Sequence, residues 1–136
     1  MRTPLVVSIA LGVFVACTTP TSVCGCSPPE PVAIVFGRIW VSGDRPLVGA
    51  LIRASRTAGP CPGRGVAFDG GFGETSSDSS GHYRRFVAGG GDSVCVQMIA
   101  YRSVSARMDS LVSSSKTLSL RIGPLHDSTR IDFRFP

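Results

Sequence analysis

The chain has 136 residues, with 14 basic against 9 acidic side chains and a formal net charge of +5. Its cations are scattered, with no run longer than the pair Arg84-Arg85, so they form no strip for a nucleic-acid backbone and no nucleic-acid partner is expected. The segment 32–136, about 105 residues, is long enough to bury one core and too short for two domains.

The order at the start of the chain is that of an export signal. Arg2 supplies the positive start, Leu5 to Val15 the apolar stretch, and Ala16 the small residue before a cut. The stretch is shorter than the roughly 20 apolar residues needed to span a bilayer. Phe14-Val15-Ala16-Cys17 resembles the lipobox of bacterial lipoproteins, with Phe14 where that family prefers Leu. The resemblance implies a diacylglycerol on the Cys17 sulfur and an acyl chain such as palmitate on its amine. Several acyl chains anchor a protein stably to a membrane where a single one would not. The expected organisation is a signal peptide over 1–16, the lipidated Cys17 and a tether over 17–31, and a domain over 32–136. The expected location is the bacterial cell envelope, in the outer membrane and periplasm or at the cell surface. Residues 18–31 are rich in Thr, Ser, Pro and Gly, and Pro20, Pro28, Pro29 and Pro31 block helix and sheet alike.

From Val32 onward short alternating runs are separated by Gly, Pro, Ser and Asp clusters, and no window keeps a 3.6-residue period. Seven strands are expected. The first, Ala33 to Val41, sets Val35, Gly37, Ile39 and Val41 against Phe36, Arg38 and Trp40. The second runs from Leu47 to Ser55, followed by a Gly- and Pro-rich loop over Arg56 to Gly73. The third lies near Glu74 to Ser77. Asp78-Ser79-Ser80-Gly81 forms a turn whose glycine takes positive φ, and the fourth strand runs from Tyr83 to Ala88. Arg84-Arg85 breaks its alternation, which marks a bulge or an exposed edge. The fifth, Ser93 to Tyr101, places Val94, Val96, Met98 and Ala100 inward. Residues 102–115 read as an irregular strand or a short helix around Ala106 to Val112. Strands near Lys116 to Ile122 and Thr129 to Phe135 finish the chain, with Ile131, Phe133 and Phe135 on the inner face.

Beyond Cys17 there are four cysteines, Cys24, Cys26, Cys61 and Cys95, an even number suited to an oxidising compartment. Of the three connectivities, Cys61 with Cys95 is favoured, since both lie inside the domain and their bond pins the long loop to a strand. Cys24 and Cys26 then pair across Gly25 or stay reduced. A Cys-x-Cys pair with only His82 and His126 elsewhere lacks the two halves of a zinc site, so no metal is expected, and no cofactor.

Gly37-Arg38-Ile39, Pro46 to Ile52, Ser77 to Tyr83, and Gly91 to Val94 leading to Ala100-Tyr101 resemble the carboxypeptidase regulatory-like domain. That family's pattern is roughly Gly-x-Val, Pro-Leu-x-Gly-Ala-x-Val, Thr-Asp-x-x-Gly-x-Phe/Tyr and Gly-x-Tyr. The resemblance covers Val35 to about Tyr101. It implies an all-β fold, a seven-stranded Greek-key β-sandwich of the transthyretin or prealbumin type, and a folding, spacing or adhesion role. One transthyretin-like branch hydrolyses 5-hydroxyisourate and ends in Tyr-Arg-Gly-Ser. This chain reads Asp132 to Pro136 there, so that activity does not carry over.

No catalytic residues are assigned. His82 with Asp78, and His126 with Asp127, fall in turns, and no Gly-x-Ser-x-Gly elbow accompanies them. The glycine-rich stretches around Cys61 and Gly70 lack the Lys-Ser/Thr and following helix of a phosphate loop. The candidate binding residues are aromatic: Trp40 on the outer face of the first strand, and Phe68 and Phe72 in the long loop. The expected function is a non-catalytic structural or protein-interaction module, meeting the membrane through Cys17 and an envelope protein or polysaccharide through its surface. The alternative is a carbohydrate-binding module using the aromatics of the first strand and the 56–73 loop.

Overall fold

The computed structural model describes residues 28–63, 68 and 71–136. Cys17, Cys24, Cys26 and the leader lie outside the described residues. Ten strand segments and no helix occur among those described: β1 (Val32–Val41), β2 (Arg45–Pro46), β3 (Leu51–Ala58), β4 (Gly71–Ser76), β5 (His82–Ala88), β6 (Ser93–Val104), β7 (Arg107–Val112), β8 (Lys116–Ser119), β9 (Asp127–Arg130) and β10 (Phe133–Phe135).

They form two sheets. In the first, β1 is central: β5 and then β2 pair with one edge of it antiparallel, and β9 and then β10 pair with the other edge in parallel. In the second the order is β4-β3-β6, and β6 carries β8 along its first half and β7 along its second. The strand alternation read from the sequence is what closes the core. Val35 and Ile39 of β1, Ile52 and Ala54 of β3, and Val94, Val96, Met98 and Ala100 of β6 are all buried. Ile131, Phe133 and Phe135 close it from the far end of the chain.

Three boundaries differ from expectation. The second long strand begins at Leu51 rather than Leu47, because Leu47 to Ala50 is taken up by a turn. There Ser77 binds both arms, its Oγ accepting the Ala50 N–H and donating to the Leu47 carbonyl. β6 runs on to Val104 rather than ending at Tyr101, and residues 107–112 take the strand alternative, folding back on β6 through Ser105 and Ala106, both at positive φ (45° and 66°). The last expected strand is two: β9 and β10 are separated at Ile131-Asp132.

That break has a cause in β1. The Ile131 N–H donates to the Phe36 carbonyl, and Asp132 Oδ1 accepts the Arg38 N–H at 2.8 Å in place of a ladder carbonyl. The Ile131 carbonyl turns inward over Gly37, where a Cβ would lie 1.8 Å from it, and accepts the Tyr83 hydroxyl at 2.7 Å. Only glycine leaves room for this crossing. Burial of Tyr83, reinforced by the Asp132 carboxylate, pushes its phenol pKa well above the ordinary value.

The turn before β5 forms as expected. Asp78 Oδ1 accepts the N–H groups of Ser80 and His82 at 2.8 and 2.9 Å, and Gly81 takes φ +75° against the Ile39 carbonyl. The sulfurs of Cys61 and Cys95 lie 2.08 Å apart, as a disulfide. Cys95 is fully buried, although its parity points away from the core, because the Cys61 segment lies over it. That segment is also held by the Cys61 N–H donating to Thr117 Oγ1.

Candidate functional site

The outward parity of β1 puts Ile34, Phe36, Arg38 and Trp40 on the outer face of the first sheet, and strand pairing determines their neighbours. Residues opposite one another on paired strands share a face. Phe36 is therefore flanked by Arg84 of β5 and Arg130 of β9, Ile34 by Phe86, Arg38 by His82, and Trp40 by Pro46 and Arg134. The result is a surface on which rings alternate with guanidinium groups.

Phe36 and Phe86 are exposed at 39% and 50% of their surfaces, and Trp40 is half-buried. The Arg84 guanidinium lies 5.1 Å from the Phe86 ring centre, a cation–π contact that leaves the other face of the guanidinium open. The Phe86 ring also meets His126 edge-on at 6.2 Å. Two carboxylates serve the face. Asp132 pairs with Arg130 at 2.9 Å, and Asp44 pairs with Arg134 at 3.2 Å. Arg38 gives its Nε–H to the Ser80 carbonyl at 3.2 Å, so it is oriented without being neutralised. With Arg38 and Arg84 unmatched by a carboxylate among the described residues, the face carries excess positive charge beside exposed rings. It is suited to anionic or planar groups on a partner.

β5 also forms one edge of this sheet among the described residues. The expected irregularity at Arg84-Arg85 is an edge and not a bulge, since the pairing with β1 runs unbroken from Val32↔Ala88 to Arg38↔His82. Arg85 points to the inner side but reaches past the edge to the second sheet, giving Nη1–H to the Glu74 carbonyl at 3.3 Å. Charged side chains at such an edge discourage indiscriminate strand pairing.

The structure separates the three aromatic candidates. Trp40 stands on the first sheet. Phe68 is half-buried in the loop after β3, and the Phe72 backbone belongs to β4 of the second sheet, its side chain lying outside what is described. Phe36 belongs to the first-strand aromatics that the sequence offered, and Phe86, Arg130 and Arg134 are the neighbours that sequence reasoning did not assign to a site. The parity of Arg84 and Phe86 within β5, and of Arg134 within β10, was a usable signal. Which strands would lie beside β1 was not.

The histidines take turn and surface roles. His82 Nδ1 lies 4.0 Å from Asp78 Oδ1, with both side chains 60% exposed. The hydrogen bonds from the His82 and Ser80 N–H groups hold the Asp78 carboxyl below its usual pKa, so it serves as the cap of the turn. His126 packs on Phe86. No group of three or more metal-ligating side chains occurs among the described residues. Comparison with protein-family models, curated proteins and solved structures finds no match for this chain.

Proposed function

We propose that this chain is a non-catalytic interaction module of a bacterial cell envelope, anchored through a lipidated Cys17 and meeting its partner with the outer face of β1, β5 and β9. The fold that goes with this reading is a seven-stranded Greek-key sandwich of the carboxypeptidase regulatory-like, transthyretin type. The observation that carries the functional reading is the placement of Phe36 between Arg84 and Arg130. A ring left 39% exposed between two cations keeps apolar surface free beside positive charge, and exposed rings and arginines of this kind contribute most to recognition. The leader and the Phe14 to Cys17 motif support the anchoring.

The experiment is site-specific photocrosslinking in intact cells. A photoreactive residue at Phe36 or Arg84 is expected to give a discrete adduct, and one at Met108, an exposed side chain of the other sheet, is expected to give none. Equal adducts from both sheets, or none from either, reject the face.

Carbohydrate binding is the second reading, favoured by Trp40 standing beside Arg134 and Pro46 on the same surface as Phe36. Retardation in affinity electrophoresis through acidic envelope polysaccharides, abolished by Trp40→Ala with Phe36→Ala, would replace the protein partner with a glycan. No retardation in any gel leaves the protein partner.

A further inference from the structure

The end of the domain at which the chain enters β1 carries an apolar loop that the outer face does not use. Val32 and Arg121 exchange backbone hydrogen bonds at 3.0 and 3.2 Å, and Asp127 begins β9 beside Ala33. The intervening loop, Ile122-Gly123-Pro124-Leu125-His126, therefore projects from the Val32 end of the first sheet. Ile122 is 63% exposed and Leu125 79%, the largest exposure among the large apolar side chains described. Phe86, half exposed, joins them through its contact with His126.

We infer that this loop is a membrane-docking element: Ile122 and Leu125 enter the interfacial layer of the bilayer that holds the N-terminal anchor, with Phe86 at the rim. The inference rests on the proposed anchoring. The segment 18–31 separates Cys17 from Val32 and spans at most about 50 Å when fully extended. The Val32 end is the end at which that segment joins the domain, and so the end nearest the membrane along the chain, and the exposed aliphatics are on it. Two aliphatic side chains and part of a ring would bind vesicles only weakly from solution. A short tether raises the local concentration to the millimolar range, where weak contacts become populated. Arg121 lies next to Ile122, while Asp92 at the same end offsets it, so the apolar groups carry the contact and added salt should change it little.

The chain's single tryptophan makes the test direct. Trp40 lies eight residues along β1 from Val32, roughly 26 Å away at strand rise, and reports on the far end of the domain. The full-length chain is reconstituted in vesicles of phosphatidylcholine and phosphatidylglycerol containing acyl-chain spin-labelled lipid. A Trp40→Phe, Leu125→Trp variant is compared with the parent chain. Emission of the variant is expected to shift blue and to be quenched at least about twofold more than Trp40, unchanged by high salt. Adding Ile122→Asp should return quenching to the parent value. Quenching of the variant equal to that of Trp40, with the chain retained on vesicles, overturns the docking alone. Failure of the full-length chain to stay with vesicles overturns the anchoring and the docking together. The mass of the purified chain reads acylation separately: an unacylated chain held by its apolar leader rejects lipidation, and its quenching still decides the loop.

Discussion

Tyr83→Phe is the smallest change that tests how the two edges of β1 are joined. The hydroxyl donates to the Ile131 carbonyl at 2.7 Å, and that carbonyl lies over Gly37, where no backbone donor reaches it. Removing the hydroxyl leaves a buried acceptor unpaired, at a cost of about 1–3 kcal/mol. Taking about 2 kcal/mol, the melting temperature should fall by about 8–10 °C for a domain of this size. The raised pKa of Tyr83 adds a second signature. Because the folded-state pKa exceeds the unfolded value near 10, this contribution is fully present below about pH 10. It is lost as pH rises above that, when the unfolded tyrosine ionises and the folded one does not. The loss is about 1.4 kcal/mol per pH unit, so the difference between parent and variant should close by about pH 11.5. Urea titrations followed by tryptophan fluorescence from pH 7 to beyond that point measure it. A gap that is absent at pH 7, or constant with pH, would refute both the hydrogen bond and the crossing built on it.

Gly37→Ala should cost about 3 kcal/mol or more, because its Cβ meets backbone oxygen rather than a movable side chain; a melting temperature within a few degrees of the parent would contradict the crossing. Ala106→Gly should stabilise by about 1 kcal/mol, since Ala106 holds φ +66° in the β6–β7 turn, and thermal unfolding reads the gain. Replacing Cys61 and Cys95 by serine should cost about 2–4 kcal/mol and make the residue 59–63 segment protease-sensitive, read by limited proteolysis under non-reducing conditions. Asp78→Ala should move the acid-unfolding midpoint upward. The depressed pKa of Asp78 means that its contribution is present above the usual carboxylate range and lost as pH falls through the folded value.

Alternation carried most of the fold from sequence to structure, because a strand with one buried face must repeat every second residue. Val94, Val96, Met98 and Ala100, and Ile131, Phe133 and Phe135, needed nothing more to be placed inward. The Asp78 to Gly81 turn was legible for a similarly local reason, its side-chain cap and positive φ both being written in four residues. The β6–β7 hairpin was not, since a two-residue turn with both φ values positive ordinarily carries Asn-Gly, and Ser105-Ala106 gives no such sign. Nor was the split between β9 and β10, which depends on Gly37, distant in the chain, making room for the Ile131 carbonyl. The outer face was half legible. Parity placed Phe36, Arg38 and Trp40 together, but the arginines come from β5, β9 and β10, and adjacency of distant strands has no local signature.

The two proposed surfaces divide the domain in a way that β1 itself dictates. Val32 begins the strand at the end nearest the proposed anchor, beside Ile122 and Leu125, and Trp40 stands roughly 26 Å further along it. A loop that docks at the Val32 end would hold β1 pointing away from the bilayer, so that Phe36, Arg84 and Arg130 face sideways, above the headgroups and clear of the tether. Without that contact, nothing in the loop would keep the face from turning toward the membrane, where its excess cations would be drawn to anionic lipid rather than to a partner. Docking by apolar groups at one end therefore complements recognition by cations and rings on the flank: each surface uses the chemistry that the other's target lacks. Leu125→Asp should consequently weaken crosslinking from Phe36 in cells, although the two residues belong to different surfaces. Undiminished crosslinking would mean that the face is presented equally well without the loop, and that the two surfaces are independent.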